Sequence, residues 1–600
     1  MTADSDKGLS AQSTRWKKWL VFLPYALVLI AIWLPRGLAL DRFVTVDEPK
    51  WLERSANFYL ALANGDAAGT FTREHPGVTI TWAGTAGFLW RYPDYIRDAP
   101  GRLTESWEIE PILREHNRQP VEMLEAGRVF VALMITVALL IGFHEAVRLI
   151  GLWPALAGFL LIAFDPFLVG LSRLLHLDGL VSALMLLSVL AFLTFLYRGR
   201  KRRDLILSAV AAGLAWLTKS PALFLVPFAG LICLFEFGRR LYIARRWRWQ
   251  DAGQFAWQSG WPWLVWLGVG CAIFVLLWPS MWVNPVSTLQ RVFNEASTYA
   301  SEGHASDVFF DGRVITGDPG RPTYPEKYLK HNYYPLSYVG RRFYPLVYLW
   351  RATPVVLVGL VLAAIGFFLR RKVPEERAAR WTAVLLVMMA LLFGIFMTMG
   401  SKKFDRYLLP VFAPLDLVAG IGWVLVTRWI SERFSPRIQR YSVPLVITGI
   451  ALLQLATILQ TYPYYLTYYN PLMGGSAKAP QVMMIGWGEG LDQAARYLNT
   501  KEEGDKLRVL AWYPDGSFSY FFNGEVVGSA REWEETKAEL DRSDYAVLYA
   551  NQWQRYLPFP QYVDYFERLK PEETITIDGL EYIRIYNLAD MGSPEQNLNP

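Results

Sequence analysis

Two adjacent carboxylates, Asp47 and Glu48, follow the first long apolar run of the chain, residues 19–40. Pro49 suits the first turn of a helix, and Asp47 or Glu48 would cap that helix, whose positive N-terminal end favours negative charge. A carboxylate at the end of a membrane helix can take a proton from a hydroxyl group as a general base. We therefore predict that Asp47 is a general base at a membrane surface.

Cationic side chains lie at the ends of other apolar runs. Arg128 begins the second run, Lys219 follows the fifth, and Arg406 lies between the ninth and the tenth. Arginine and lysine both bind phosphate, and arginine does so with a planar fork, so we interpret all three as phosphate contacts. The alternative for Arg128 and Lys219 is an anchor that reaches to the membrane surface, and for Arg406 it is a pair with Asp405.

Two further polar groups are candidates for the same site. The corner 172–179 brings an arginine, a histidine and Asp178 together between two apolar runs. Ionisable residues are costly there and usually functional, although a structural arginine–aspartate pair is the alternative. His75 precedes Pro76 and Gly77, which predict a rigid bend. His75 would orient a carboxylate or bind a substrate, or else it is structural.

The composition defines the class of protein that must position these residues. Of 600 residues, 53% are hydrophobic and 19% are charged, and there are 25 Trp and 31 Tyr, which is typical of a multi-spanning membrane protein. The net charge of +6 does not indicate nucleic-acid binding, because the basic residues cluster between apolar runs. The two cysteines, Cys233 and Cys271, both lie inside apolar runs, so a disulfide framework is not indicated.

About eleven apolar runs are long enough to cross a bilayer. Basic clusters such as 198–203 and 428–440 fall on the same side as Arg15, which predicts a cytoplasmic N-terminus. A cleaved signal peptide is the alternative for the first run. The runs lie near 19–40, 127–147, 152–171, 179–197, 204–218, 221–238, 260–279, 352–370, 381–399, 407–427 and 443–461.

The runs divide the chain into three parts. We predict a cytoplasmic tail (1–18), a transmembrane domain (19–462) with large outer loops at 41–126 and 280–351, and an extracytoplasmic C-terminal domain (463–600). In the last part, apolar segments at 509–512 and 545–549 predict strands. Asp578-Gly579 between two further segments predicts a hairpin. The predicted fold class is a polytopic α-helical membrane protein with a small extracytoplasmic α/β domain.

One carboxylate and several cations at a membrane surface suit the transfer of a sugar from a polyprenyl phosphate. The bond to be broken joins the anomeric carbon to a phosphate that leaves with additional negative charge, which cations can stabilise without a metal. The carboxylate would take the proton of the acceptor hydroxyl. Direct attack from the opposite face would invert the anomeric centre.

Taken in order, these motifs resemble the GT-C membrane glycosyltransferases of family 39. That family includes protein O-mannosyltransferases and the bacterial aminoarabinose transferases of lipid A. A bacterial branch is similar in the tail, at Trp487-Gly488-Glu489-Gly490-Leu491-Asp492. The motifs in the membrane part are Asp47-Glu48, His75-Pro76-Gly77, Arg128, Asp178, Thr218-Lys219 and residues 403–410.

The resemblance implies a GT-C fold with Asp47 as the catalytic base and Glu48 in support. It also implies a donor-phosphate role for Arg128, with Lys219 and Arg406 as further phosphate contacts. Asp178 would be a second acidic position near the acceptor or the base. Some members of the family bind a divalent metal near the site, but the sequence singles out no ligand for one.

We therefore predict an inverting glycosyltransferase of the cytoplasmic membrane with a polyprenyl-phosphate sugar as donor, mannose being one candidate sugar. The acceptor would be an extracytoplasmic hydroxyl on protein, lipid or glycan. A transporter or flippase of lipid-linked saccharide would use the same cations, but such proteins often show internal repeats, which do not stand out here. A non-enzymatic scaffold with a sensing tail would leave Asp47, Arg128 and Asp178 without a role.

Overall fold

The computed structural model describes residues 22–589, apart from 74, 245–248, 302–307, 317–333, 336–339, 371–372, 374–375 and 531–532. The predicted cytoplasmic tail therefore lies outside the described residues, as do parts of loop 280–351.

Each of the eleven predicted apolar runs contains a helix. The helices of the membrane part are α1 (Leu23–Gly37), α2 (Glu48–Ala63), α3 (Val78–Arg91), α4 (Pro120–Ile150), α5 (Leu152–Phe164), α6 (Pro166–Ser172), α7 (Leu177–Tyr197), α8 (Arg202–Thr218), α9 (Leu225–Ala244), α10 (Trp249–Leu276), α11 (Pro285–Ser301), α12 (Phe343–Arg351), α13 (Pro354–Leu369), α14 (Arg377–Met399), α15 (Leu409–Ser431) and α16 (Pro436–Gln460). Short helices also occur at Tyr95–Asp98, Ile109–Glu115, Ser280–Val283 and Gly475–Lys478.

Fewer helices than predicted are long enough to span a membrane on their own. In the described ranges, 7 helices pass that test, and up to 9 spans result if each bent helix pair counts as one. The pairs are α5 with α6, bent by 63°, and α12 with α13, bent by 111°. The other two predicted spans are α1 and α8, which have 15 and 17 residues and fall short of the roughly 20 that cross a bilayer.

Sequence explains the bend between α5 and α6. Pro166 begins α6, and the side chain of Asp165 accepts a hydrogen bond from the Leu168 N–H at 2.8 Å, which caps the new helix. The bend places the corner 172–179 at the start of α7. An apolar 18-residue window of α7 is entirely buried, and Asp178, in the first turn of this helix, is buried as well, so it faces protein rather than lipid.

Small residues allow the helices to pack closely. A Cβ added to Gly420 of α15 would lie 2.3 Å from the backbone nitrogen of Gly158 in α5. Contacts of this kind are typical of helices that associate within membranes.

Two sheets occur in the described part of the chain. β1 (Val308–Phe310), β2 (Arg313–Thr316) and β3 (Tyr334–Pro335) form a small sheet in loop 280–351. The C-terminal part contains α17 (Leu491–Asn499), α18 (Trp533–Leu540), α19 (Ala550–Arg555) and α20 (Pro560–Glu567). It also contains β4 (Arg508–Ala511), β5 (Glu525–Gly528), β6 (Tyr545–Tyr549), β7 (Glu573–Ile577) and β8 (Leu580–Asn587). The strand order is β5-β4-β6-β8-β7.

The C-terminal sheet confirms the predicted α/β region. β4 pairs in parallel with β5 and β6, whereas β8 is antiparallel to β6 and β7. Asp578 and Gly579 have φ of 52° and 73° in the turn between β7 and β8, as a tight hairpin requires. Together with the helical membrane part, this confirms the predicted fold class of a polytopic α-helical membrane protein with a small α/β region near the C-terminus.

The C-terminal part packs on loop 41–126. The Arg114 guanidinium donates to the backbone oxygen of Ser519 at 2.9 Å, and the Ser519 hydroxyl donates to Glu110 at 2.6 Å. A Cβ added to Gly516 would lie 2.2 Å from Cγ of Pro49. The segment that carries Asp47 is therefore enclosed between the membrane helices and the C-terminal part.

Candidate active site

Asp47 occupies the residue before α2, but its side chain does not cap the helix. Glu48 turns back instead, and its Oε2 accepts from the backbone N–H and the hydroxyl of Thr45, both at 3.0 Å. The predicted capping role of the two carboxylates is therefore wrong. The Asp47 carboxylate is left to face other elements.

Arg128 forms a salt bridge with both carboxylate oxygens of Glu48, the residue that follows Asp47. Its Nε and Nη2 lie 2.6 Å and 2.5 Å from the two Glu48 oxygens, and its remaining bonds go to the backbone oxygens of Leu40 at 2.5 Å and Phe43 at 2.9 Å. Leu175 N–H also donates to Glu48, at 2.8 Å. Both charged side chains are buried.

This geometry does not support the predicted phosphate contact of Arg128. The guanidinium is used to fix the segment 40–48 against α4, and the Arg128 side chain keeps only 3% of its surface exposed. Burial alone would raise the pKa of Glu48, but Arg128 and the N–H donors lower it below the ordinary value. Glu48 is thus an anchor beside Asp47 that is charged at neutral pH.

Asp47 meets residues from two distant parts of the chain. Its Oδ2 lies 3.2 Å from Nη2 of Arg406 and 3.6 Å from Nε2 of His176. Arg406 is held in the 3-10 turn Asp405–Leu408 that precedes α15, and His176 is the residue before α7. The bundle therefore brings these three side chains together at one face, which we call the site face.

Asp178 and Lys219 continue the same network. Lys219 Nζ lies 2.5 Å from Oδ1 of Asp178, and the other oxygen of Asp178 lies 3.3 Å from Nδ1 of His176 and 3.7 Å from Nε of Arg406. The four predicted residues Asp47, Asp178, Lys219 and Arg406 thus converge. His176 stands between the two carboxylates.

Three buried polar atoms in this network lack a hydrogen-bond partner within the described part of the chain. They are Nδ1 of His176, Oδ2 of Asp178 and Nε of Arg406. The three atoms face one another, because Oδ2 of Asp178 lies 3.3 Å from Nδ1 of His176 and 3.7 Å from Nε of Arg406, but these contacts lack the geometry of hydrogen bonds. The three residues that carry these atoms surround Asp47, so the incomplete hydrogen bonding lies within its site.

The exposure of the two carboxylates distinguishes their roles. The Asp47 side chain keeps 29% of its surface exposed, whereas Asp178 keeps 3%. Burial alone would raise the pKa of Asp47, but the interactions with His176 and with Arg406 outweigh it, and the pKa lies well below its usual range. Asp47 is therefore the ionised and accessible carboxylate of the site.

His75 lies among positively charged side chains, and Lys219 has the largest electrostatic effect on it. The bend is fixed because Gly77 N–H donates to the backbone oxygen of Thr218 at 3.2 Å. Burial and four neighbouring cations, foremost Lys219 and Arg54, lower the pKa of His75 to about 3. His75 is neutral at physiological pH, so it can exchange hydrogen bonds but adds no charge. The other two cations are Arg73 and Lys402.

Trp487, which belongs to the C-terminal part, contacts two residues of the site. Its ring lies 5.1 Å from the ring of His176, edge to face, and 4.3 Å from the guanidinium carbon of Arg406. The sequence places His176 in the candidate corner 172–179 without a role of its own, and it does not single out Trp487 as a site residue. The signals were present: His176 is two positions from Asp178, and Trp487 stands between two glycines.

The residues present do not fit a metal centre. No group of three His, Cys, Asp or Glu side chains that could hold a metal ion occurs among the residues that the structure describes. His176 and the two carboxylates share their space with Arg406 and Lys219, whose positive charge opposes a cation.

These findings define a polytopic membrane protein whose site brings two carboxylates together with an arginine, a lysine and a histidine. Residues 122–266, about a quarter of the chain, match the family model described as dolichyl-phosphate-mannose-protein mannosyltransferase. Over this segment, the resemblance to the family 39 glycosyltransferases is confirmed. No curated protein sequence matches the chain.

Three solved structures illustrate what the chain is similar to. ArnT from Cupriavidus metallidurans bound to undecaprenyl phosphate is 14% identical over 95% of this chain and 98% of its own, with a TM-score of 0.45. The oligosaccharyltransferase AglB from Archaeoglobus fulgidus in complex with an inhibitory peptide and a dolichol-phosphate is 11% identical over 91% and 72%, with a TM-score of 0.42. The S. cerevisiae O-mannosyltransferase Pmt1-Pmt2 complex bound to the sugar donor is 16% identical over 49% and 38%, with a TM-score of 0.33.

Proposed function

We propose that this protein is an inverting glycosyltransferase that moves a sugar from a polyprenyl-phosphate donor to a hydroxyl acceptor. The observation that supports this most directly is the position of Asp47. It is the more exposed of the two carboxylates in the network, and it lies 3.2 Å from Arg406 at a face where further cations cluster. A general base and a group of cations that binds the phosphate are the two parts that such a reaction needs.

In the proposed reaction, Asp47 accepts the proton of the acceptor hydroxyl. The hydroxyl oxygen bonds to the anomeric carbon as the bond from that carbon to the phosphate oxygen breaks. The polyprenyl phosphate leaves with that electron pair, and its added negative charge is stabilised by Arg406 and Lys219. One proton goes to Asp47, and one inverted glycosidic bond replaces one glycosyl phosphate bond.

The other predicted residues take supporting roles in this proposal. Glu48 and Arg128 hold the Asp47 segment in place, which leaves Lys219 and Arg406 as the phosphate contacts among the three predicted cations. Asp178 orients Lys219 through its 2.5 Å contact. Asp178 and His176 each have a buried polar atom without a hydrogen bond. His75, neutral and next to the cations, is suited to hydrogen-bond a substrate oxygen.

We further propose mannose as the first sugar to test, because the family model that matches residues 122–266 describes a mannose donor. We propose an extracytoplasmic hydroxyl on protein, lipid or glycan as acceptor. This requires the site face to point outward, with 463–600 as an extracytoplasmic domain. The basic cluster 198–203 follows the end of α7 opposite Asp178, which agrees with this orientation under the positive-inside tendency.

A transporter or flippase is less well supported by the position of the site. The groups that hold Asp47 lie at helix ends: Asp178 is in the first turn of α7, and Lys219 directly follows α8. Transporter sites usually form near the membrane midplane between broken helices. A site at one face suits chemistry on a substrate that reaches it from the lipid.

The proposal is tested with the purified full chain and a synthetic polyprenyl-phosphate mannose. Release of polyprenyl phosphate, together with a mannosylated acceptor of inverted configuration, is the expected result. A parallel series with other polyprenyl-phosphate sugars separates the sugar assignment from the reaction class. Translocation of the lipid-linked sugar in vesicles without cleavage would contradict the proposal.

Replacing Lys219 by Gln is expected to raise the KM for the donor about tenfold or more, because a charge-assisted contact to phosphate is lost. Donor titrations of the initial rate measure it. Lys478 lies on the exposed surface, and Lys478→Gln is the matched control. An unchanged donor KM in the Lys219 variant would contradict the proposed contact between Lys219 and the donor phosphate.

The pH dependence of transfer is expected to reflect the low pKa of Asp47. A base works in its deprotonated form, so activity should persist as the pH falls to the ordinary aspartate pKa of 3.8 and decline only below it. In Arg406→Gln one cause of the lowering is gone, so the acidic limb should move to higher pH. Rates in buffers of about pH 2 to 8 measure both profiles, because the decline of the wild type lies below the ordinary aspartate pKa. An acidic limb that is unmoved in Arg406→Gln would contradict the assignment.

A further inference from the structure

We propose that Trp487, supplied by the C-terminal part, is a positioning residue that holds Arg406 and His176 against Asp47. The inference rests on the proposed function of the Asp47 site. It assigns a role in that site to a region whose role neither the family match nor the sequence motifs define.

Trp487 contacts both residues that lie closest to the Asp47 carboxylate. The Arg406 guanidinium lies over the indole at 4.3 Å, within the range of a cation–π interaction. The His176 ring meets the same indole at 89° and 5.1 Å, a favourable edge-to-face arrangement. Arg406 and His176 are in turn 3.2 Å and 3.6 Å from Asp47. One side chain therefore sets the position of two partners of the base.

The segment around Trp487 is fastened to the C-terminal sheet. The Tyr549 hydroxyl, at the end of β6, accepts from Gly488 N–H at 2.9 Å and lies 3.1 Å from the buried Glu489 carboxylate. Glu489 accepts from Trp487 N–H at 2.6 Å, and the Asn551 side chain donates to the Gly486 oxygen at 3.1 Å. The indole thus has a rigid support that belongs to the sheet rather than to the membrane helices.

The segment around Trp487 also packs against the segment that carries Asp47. Gly488 has a φ of +122°, and a Cβ there would lie 2.3 Å from the backbone oxygen of Val44, three positions before Asp47. Only glycine allows this approach at this backbone angle. The sheet, the Trp487 segment and the Asp47 segment therefore form one packed unit.

A positioning role has a consequence that simple packing does not have. Arg406 lowers the pKa of Asp47 through its charge and is also a proposed phosphate contact. If the indole is removed, the guanidinium gains freedom, and both effects should weaken together. A residue that only stabilised the fold would change the unfolding midpoint without moving the pH profile.

The test compares Trp487→Leu and Trp487→Phe with Trp553→Leu in the full-length protein. Trp553 is a matched control, because it also lies in the C-terminal part and has a guanidinium, that of Arg584, at 4.6 Å over its ring. Three quantities are measured: the pH profile of kcat/KM, the binding of polyprenyl phosphate without sugar, and the thermal unfolding midpoint. Tyr549→Phe, which removes only the hydroxyl under the segment, is a milder second variant.

Trp487→Leu is expected to move the acidic limb of kcat/KM to higher pH and to weaken polyprenyl-phosphate binding about 5- to 30-fold. Trp487→Phe should restore most of both, Tyr549→Phe should shift both in the same direction by less, and Trp553→Leu should match the wild type. If Trp487→Leu leaves the limb and the binding unchanged, or if Phe is as damaging as Leu, the inference is overturned. If the wild type binds polyprenyl phosphate but cleaves no donor, the proposed function fails, while the binding series still decides the role of Trp487.

Discussion

Replacement of Asp47 by Asn is expected to reduce sugar transfer by about 10²- to 10⁴-fold, the usual contribution of a general base. Asn has the same shape but cannot accept the proton of the acceptor hydroxyl. The fold should be retained, because the Asp47 side chain makes no bond to α2 and keeps 29% of its surface exposed. The rate of polyprenyl-phosphate release, normalised to folded protein, measures the loss.

Asp41→Asn is the matched control for this experiment. Asp41 lies in the same segment, and its side chain is 52% exposed, in contact only with Arg42 at 3.9 Å among the ion pairs described. Wild-type activity is expected in the control. Full transfer activity in Asp47→Asn would reject Asp47 as the base.

Replacement of Arg128 by Met is expected to lower the free energy of unfolding by about 3–5 kcal/mol, since it leaves the buried Glu48 charge without its partner. The stability of a typical domain is only about 5–15 kcal/mol, so this is a severe loss. The unfolding midpoint in detergent measures it. Arg128→Met combined with Glu48→Met should cost less than the sum of the single changes, because the pair is removed as a unit.

Arg42→Met is the control for a surface arginine in the same segment, and its midpoint should stay near that of the wild type because exposed pairs contribute little. The two interpretations of Arg128 differ clearly in this experiment. An unchanged midpoint with a raised donor KM would restore the phosphate contact that the sequence predicted. A lowered midpoint supports the anchor seen in the structure.

Much of the fold could be predicted from the sequence because length and apolarity are local properties. Each of the eleven apolar runs contains a helix, and the strands at 545–549 and the hairpin at Asp578 were also predicted. The number of independent spans was not, since two spans exist only as bent helix pairs and the helices of two other runs have only 15 and 17 residues. β5, Glu525–Gly528, was missed because it is a short edge strand with no apolar run of its own.

The candidate site was predicted in part for the same reason. Asp47, Asp178, Lys219 and Arg406 were found because charges at the ends of apolar runs are conspicuous in a sequence. Whether an arginine at such a place faces a ligand or a buried carboxylate depends on contacts between distant segments. Arg128 could not be assigned from its position alone, and the contact of Trp487 with Arg406 requires the C-terminal part to be folded against the membrane helices.

The close fit of Gly488 against the Val44 carbonyl also bears on the order in which the protein is made. Ribosomes deliver the N-terminal segments first, so the Asp47 segment enters the bilayer long before residues 486–490 and strand β6 exist. A nascent chain would carry the carboxylate and most of its cations but not the indole beside them. We expect such a chain to be inserted yet inactive, with competence acquired only when the last segment has folded into place.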